Sequence, residues 1–227
     1  MDEYRHLLSP GRIGTLELPN RLFQSAMGTN LAHDDGTVSD EMVAFYAARA
    51  AGGASLLTMG AVGVSYPRGQ VQPHQVAISD DRYLPGLERL TSAIHREGGR
   101  VSAQLHHGGV TAVFDLMAGI PLLCPSLPLT DPAASAPPEE LGEAGDGQAV
   151  QFKAMDDEDI AALIEDFASG AARAVAAGFD AIEVHAGHTY ILASFLSPAE
   201  NRRTDGYGGS AENRARLLRE VLEAIRA

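Results

Sequence analysis

Two imidazoles and a phenol fall close together in His185-Ala-Gly-His188-Thr-Tyr190. Ring N–H groups of histidine can hold negative charge that develops on an oxygen. A phenol can act as a proton donor. The trio follows the apolar run Ala181-Ile182-Glu183-Val184 and precedes a loop rich in Pro, Asn and Gly, so it reads as chemistry placed where a strand stops. Alternation along that strand puts Ala181, Glu183 and His185 on one face and Ile182 and Val184 on the other. A second polar set stands at the end of Arg100 to His106, where Ser102, Gln104 and His106 share a face and His107 follows. The amide of Gln104 can donate and accept hydrogen bonds at once.

His106, His107, His185 and His188 also invite a metal reading, because imidazole is a common zinc ligand. No carboxylate accompanies them at a familiar ligand spacing, and Cys124 is the only cysteine. Neither a thiolate cluster nor a disulfide framework can be built from one thiol. No catalytic metal is expected, and Cys124, beside Pro125, reads as a small packed residue.

The elements that must position these groups alternate strand with helix. Leu7 to Asn20 reads as a small hairpin, and Arg21 to Met27 as a first strand. Ser39 caps a helix running to Ala51, with Asp40 and Glu41 in its first turn and Gly52-Gly53 as its stop. Ala54 to Gly60 is a nearly unbroken apolar strand of the kind found in parallel sheets. Tyr83 to Glu97 has helical spacing in Leu84, Leu87, Leu90 and Ile94 before the strand at Arg100. Asp156 to Ala177 is a long amphipathic helix before the strand at Ala181, and Ala211 to Ala227 a last one. Residues 109–155, weakest in periodicity between Val113 and Ala154, read as an excursion over the mouth of the fold. The sum is α/β: four βα units of a (β/α)8 barrel, a fold that closes with eight and keeps its chemistry at the carboxyl ends of its strands.

At 227 residues and 45% hydrophobic content the chain can bury a substantial core. A formal charge of −13 disfavours nucleic acid and anionic membranes as partners. Much of that acidity lies between Glu139 and Asp159, which reads as a solvated loop. No run approaches a membrane span and the start lacks the pattern of a signal peptide, so a cytoplasmic location is expected.

The string H-A-G-H-T-Y followed by F-L-S-P-x-x-N-R-R-T-D-x-Y-G-G-S-x-E-N-R resembles the Old Yellow Enzyme and 2,4-dienoyl-CoA reductase family of FMN-dependent oxidoreductases. So do QLHHGG at Gln104 to Gly109, CPS at Cys124 to Ser126, and PNRLFQSAM near the start. The resemblance implies that residues 1–227 are the N-terminal portion of one FMN-binding barrel domain. It implies FMN as cofactor, NADH or NADPH as hydride donor, and a small-molecule enone or enoyl compound as acceptor. It carries Ser25, Ala26, Met27, Gly28, Gly60, Gln104 and Arg214 over to the flavin, with Gly28 standing where some relatives have a redox-tuning Cys or Thr. His185 and His188 would bind the acceptor carbonyl, Tyr190 would give the proton, and His107 would shape the substrate pocket. The barrel's phosphate site commonly follows strands 7 and 8, so the chain is expected to hold FMN poorly by itself and to self-associate or require a C-terminal half. A reading from another class is a truncated, non-catalytic remnant that acts through its open sheet edges.

Overall fold

Ser39 shows how local chemistry starts this fold. Its Oγ accepts the Met42 N–H at 3.0 Å and donates to the Leu31 carbonyl, so helix α1 (Asp40–Ala51) begins where an orphan N–H is satisfied. Asp40 and Glu41 complement its positive end, Arg49 its negative end, and Gly53, at φ 94°, turns the chain out. In the computed structural model, which describes residues 4–129 and 150–227, the chain divides into two compact units. The first comprises Met1–Val62, His74–Leu105 and Gly170–Val184; the second comprises Gly63–Pro73, His106–Ser169 and His185–Ala227.

The first unit is built on a four-stranded sheet. Strands β1 (Gly11–Ile13) and β2 (Leu16–Leu18) form the antiparallel hairpin expected from the turn residues. The sheet follows with β3 (Phe23–Gln24), β4 (Leu56–Gly63), β5 (Arg100–His106) and β8 (Ala181–Val184), in the order β3-β4-β5-β8. The β3/β4 and β5/β8 pairs are parallel. Helix α1 packs beside α2 (Leu84–Arg96). Met42, Tyr46 and Ala50 of α1, Leu87, Leu90 and Ile94 of α2, and Leu57 and Met59 of β4 are buried together with Val101, Ala103 and Leu105 of β5. Each such leucine or isoleucine is worth about 1.5–3 kcal/mol of burial.

The first strand is shorter than Arg21 to Met27. Asn20 Oδ1 takes the Leu22 N–H and the Leu22 carbonyl takes the Ser55 N–H; the ladder then covers two residues and resumes only as an isolated bridge between Gly28 and Gly60. Ser25, Ala26 and Met27 thus leave the ladder, and their backbone is not committed to the sheet.

In the second unit, the described part of the excursion contains regular elements. It holds α3 (Val113–Met117) and β6 (Leu122–Cys124), which pairs in parallel with β7 (Phe152–Ala154). Residues 130–149 of that expected excursion, including the acidic Glu139, Glu140, Glu143 and Asp146, lie outside the described residues. Helix α4 (Asp157–Ala176) starts with a reciprocal cap, Asp159 N–H to Asp156 Oδ1 and Asp156 N–H to Asp159 Oδ2. Short α5 (Ile191–Leu196) packs on β6.

The expected last helix is two. Helix α6 (Ala211–Arg214) ends at Ala215, whose ψ of −6° interrupts the helical course before α7 (Arg216–Arg226). Arg214, the last residue of the short turn, reaches to the carbonyls of Leu196 and Gly209. Among the described residues no helix is long and apolar enough to cross a membrane.

Candidate active site

Four rings gather in the second unit. His106 and Tyr190 meet edge to face with centroids 4.2 Å apart, His185 and Tyr190 at 4.8 Å, and His185 and His188 at 5.1 Å. His106, the last residue of β5, is fully buried, whereas His188 is exposed. Strand β8 ends at Val184, so His185 stands one residue beyond it rather than within it. His188 and Thr189 both have left-handed backbones, at φ 55° and 58°. Non-glycine residues adopt that region at a cost of about 1–2 kcal/mol each; the turn brings His188 and Tyr190 back onto His185. The next residue is anchored: Ile191 N–H donates to the His107 carbonyl at 3.2 Å, and Gly109, at φ 58°, lies against the Ile191 backbone.

Hydrogen bonds fix the tautomers. Gly187 N–H donates to His185 Nδ1 at 3.3 Å, which leaves the proton of the neutral ring on Nε2. His185 Nε2 then donates to His188 Nδ1 at 3.2 Å, so His188 carries its proton on Nε2. Of the pair, His188 has a ring N–H directed away from its neighbour.

His107 is buried and also has an assigned tautomer, since its Nδ1 accepts the Gly109 N–H at 3.1 Å. Gly69 lies against its ring, so close that a Cβ there would come within 2.6 Å. The Gly69 N–H is held by both carboxylate oxygens of buried Asp115 at 3.2 Å, and Arg68 Nε is 3.9 Å from that carboxylate. Burial pushes the Asp115 carboxyl up, against the pull of the Gly69 N–H and Arg68. Burial, reinforced by charge on His107 and His185, pulls His106 down to about 3; burial and Arg68 pull His107 down to about 4. Both rings are neutral near pH 7. Nothing in the sequence marks Arg68 or Asp115 here; His106 is marked by its place on the polar face of β5 and among the histidines that invite a metal reading.

The residues carried over to the flavin fall in both units. In the first, Gly28 bridges Gly60, and a Cβ on Gly60 would stand 2.7 Å from Ala26 Cβ and 2.8 Å from Gln104 Oε1. Ala26, Gly60 and Gln104 are thus brought together around a backbone that only glycine permits. Ser25 and Met27 flank Ala26 and are exposed. Gln104 Nε2 donates to Glu183 Oε1 at 2.5 Å. In the second unit, Arg214 donates from Nε to the Leu196 carbonyl at 2.9 Å and from Nη1 to the Gly209 carbonyl. Small, close-packed residues beside an oriented amide, as in the first unit, fit the face and polar edge of a flat heteroaromatic ring such as the flavin of FMN.

Cys124 is buried, its thiol pushed up to about 11 by burial, and its Sγ donates to the Lys153 carbonyl at 3.4 Å. It is a packed residue and no nucleophile at neutral pH. Ser126 of the same short motif accepts the Arg202 N–H at 3.0 Å.

Comparison with known proteins shows the family and the fold. Residues 6–227 match the model of the NADH:flavin oxidoreductase / NADH oxidase family. The chain is 36% identical over 226 residues to the NADH oxidase of Thermoanaerobacter brockii, covering all of this chain and 32% of that protein. It superposes on the crystal structure of Old Yellow Enzyme from Pichia sp. AKU4542 with a TM-score of 0.84 and 32% identity, covering 97% of this chain and 56% of that one. Morphinone reductase in complex with tetrahydroNAD gives a TM-score of 0.82 at 30% identity, over 96% of this chain and 60% of that one. The chain therefore spans between about a third and three fifths of the length of these proteins. Its parallel α/β elements are part of the (β/α)8 barrel that the Old Yellow Enzymes share.

Proposed function

Because the chain belongs to the NADH:flavin oxidoreductase / NADH oxidase family, we propose that it carries the substrate-activating and flavin-contacting residues of an NAD(P)H-dependent ene-reductase. In this reading residues 1–227 are part of a single FMN-binding domain. The acceptor is a small enone or enoyl compound. FMN, when bound, supplies hydride transfer from NADH or NADPH to the β-carbon of the acceptor alkene.

The chain's own residues have separate tasks. His188 Nε2–H holds the acceptor's carbonyl oxygen, on which charge grows as the alkene is reduced, and His185 fixes the tautomer that makes this possible. Tyr190 transfers its phenolic proton to the α-carbon, so one hydride and one proton saturate the double bond. His107, kept neutral and wedged against Gly69, shapes the substrate side. Gln104 would hold the ring's pyrimidine edge, Ser25, Ala26, Met27, Gly28 and Gly60 would contact the flavin, and the fixed charge of Arg214 would favour its anionic form.

The observation that carries this reading is the assembly of His185, His188 and Tyr190 around one another with buried His106. It is tested by reconstituting the purified protein with FMN and following anaerobic NAD(P)H oxidation with and without 2-cyclohexenone. Oxidation that depends on the enone, with one saturated ketone formed per NAD(P)H, is expected. A flavin-loaded protein that reduces no activated alkene would refute it.

A further inference from the structure

Asp180 sets the place of β8. Its Oδ2 accepts the Val101 N–H at 2.9 Å and lies 2.7 Å from His95 Nε2, its own N–H donates to the Val101 carbonyl at 2.9 Å, and Arg100 Nε is 3.6 Å from Oδ1. The strand that follows is thereby pinned in register, Ser102 opposite Ala181 and Gln104 opposite Glu183. Paired residues of neighbouring strands project to the same face, and Gln104 Nε2 reaches Glu183 Oε1 at 2.5 Å.

The chemistry of this contact is one-sided. A primary amide offers donors at one end and an acceptor at the other in nearly the same shape, so packing alone discriminates poorly between its two flips. An ionised carboxylate only accepts. Glu183 therefore requires the NH2 end of Gln104, and Oε1 is left on the side of Gly60, where a Cβ would stand 2.8 Å from it. Charge assistance makes this bond stronger than one between two neutral groups.

We propose that Glu183 is a positioning residue for the flavin: it locks the Gln104 amide so that Oε1 is presented to a ring N–H and the second Nε2 proton to a ring carbonyl. The proposal rests on the reading of Gln104 as a flavin contact. Glu183 itself acts through Gln104, so its effect should vanish when that amide is absent.

Two measurements test it. In protein labelled with [15N]glutamine and free of flavin, the Gln104 side-chain amide should show one proton shifted downfield and exchanging slowly, and Glu183→Ala should abolish that signature. FMN titration by fluorescence quenching should then show the dissociation constant rising about tenfold in Glu183→Ala and about threefold or less in Glu183→Gln, whose carbonyl can still accept. Against a Gln104→Ala background, Glu183→Ala should add less than about twofold. An amide signal indifferent to Glu183→Ala, or equal losses in both backgrounds, would overturn the proposal. If the amide signal behaves as expected but Gln104→Ala leaves FMN affinity unchanged, the flavin reading of Gln104 is at fault and the proposal falls with it.

Discussion

His185 donates from Nε2 to Nδ1 of His188 across 3.2 Å. The two rings are therefore linked in series, with Gly187 N–H setting the first and the first setting the second. His188→Ala should abolish most of the affinity for phenols, which resemble an enolate oxygen, while His185→Ala should weaken it less. Replacing both should raise the barrier to alkene reduction by about 3–4 kcal/mol. A phenol titration monitored in the flavin spectrum checks this; affinity untouched by the double change would remove both histidines from substrate binding.

Tyr190→Phe separates proton transfer from hydride transfer. The ring would still pack on His106 and His185, so the site keeps its shape and loses one proton. Stopped flow should show alkene reduction slowed at least about a hundredfold and flavin reduction by NAD(P)H nearly unchanged. If both half-reactions slow alike, Tyr190 has a packing role only.

Gly60→Ala places a methyl group 2.7 Å from Ala26 Cβ, which is fixed to its backbone, and 2.8 Å from Gln104 Oε1. Overpacking of this kind costs about 1–3 kcal/mol. Thermal unfolding should show lower stability and FMN titration a weaker complex. Wild-type values for both would mean that the approach of these residues is not required.

The hairpin, helices α1, α2 and α4, and the apolar faces of β4 and β5 were legible because each is written locally: turn residues, caps and the period of the apolar positions. So was the trio of His185, His188 and Tyr190, which the chain places within one short turn. What local pattern could not show is pairing at a distance. Glu183 and Gln104 are 79 residues apart, and only the register set by Asp180 makes them neighbours. Leu122 to Cys124 pairs with Phe152 to Ala154 across a stretch without periodicity, and Arg214 reaches the carbonyl of Leu196, 18 residues before it. The burial that makes His106 and His107 neutral is likewise a property of the packed chain.

That burial has a sign. Both rings titrate below their ordinary 6.5 when folded, at about 3 and about 4, so the native state binds fewer protons than the unfolded one between those limits. Their stabilising contribution is complete above pH 6.5 and is lost as pH falls toward 4 and 3. Each contributes a slope of up to about 1.4 kcal/mol per pH unit. Urea midpoints between pH 7.5 and 4.5 should fall accordingly, and His106→Phe should flatten the curve while keeping a ring beside Tyr190. A midpoint equally steep in that variant would mean that other groups dominate acid unfolding.

Asn201 ties the carbonyls of Phe195 and Tyr207 with bonds of 2.7 Å each, and Arg203 clasps Asp205 while reaching the carbonyls of Pro125 and Met155. The long string from Ser197 to Arg214, by which this chain is most easily recognised, is thus chiefly masonry. It reports that the wall was built, and says little about whether the hearth inside is lit. A descendant could exchange Tyr190 or His188, lose the reaction, and still keep Asn201, Arg202, Arg203 and Arg214, because the carbonyls they satisfy would remain to be satisfied. Among look-alike chains, a working reductase is better told from a silent one by the few letters between His185 and Tyr190 than by the many that follow.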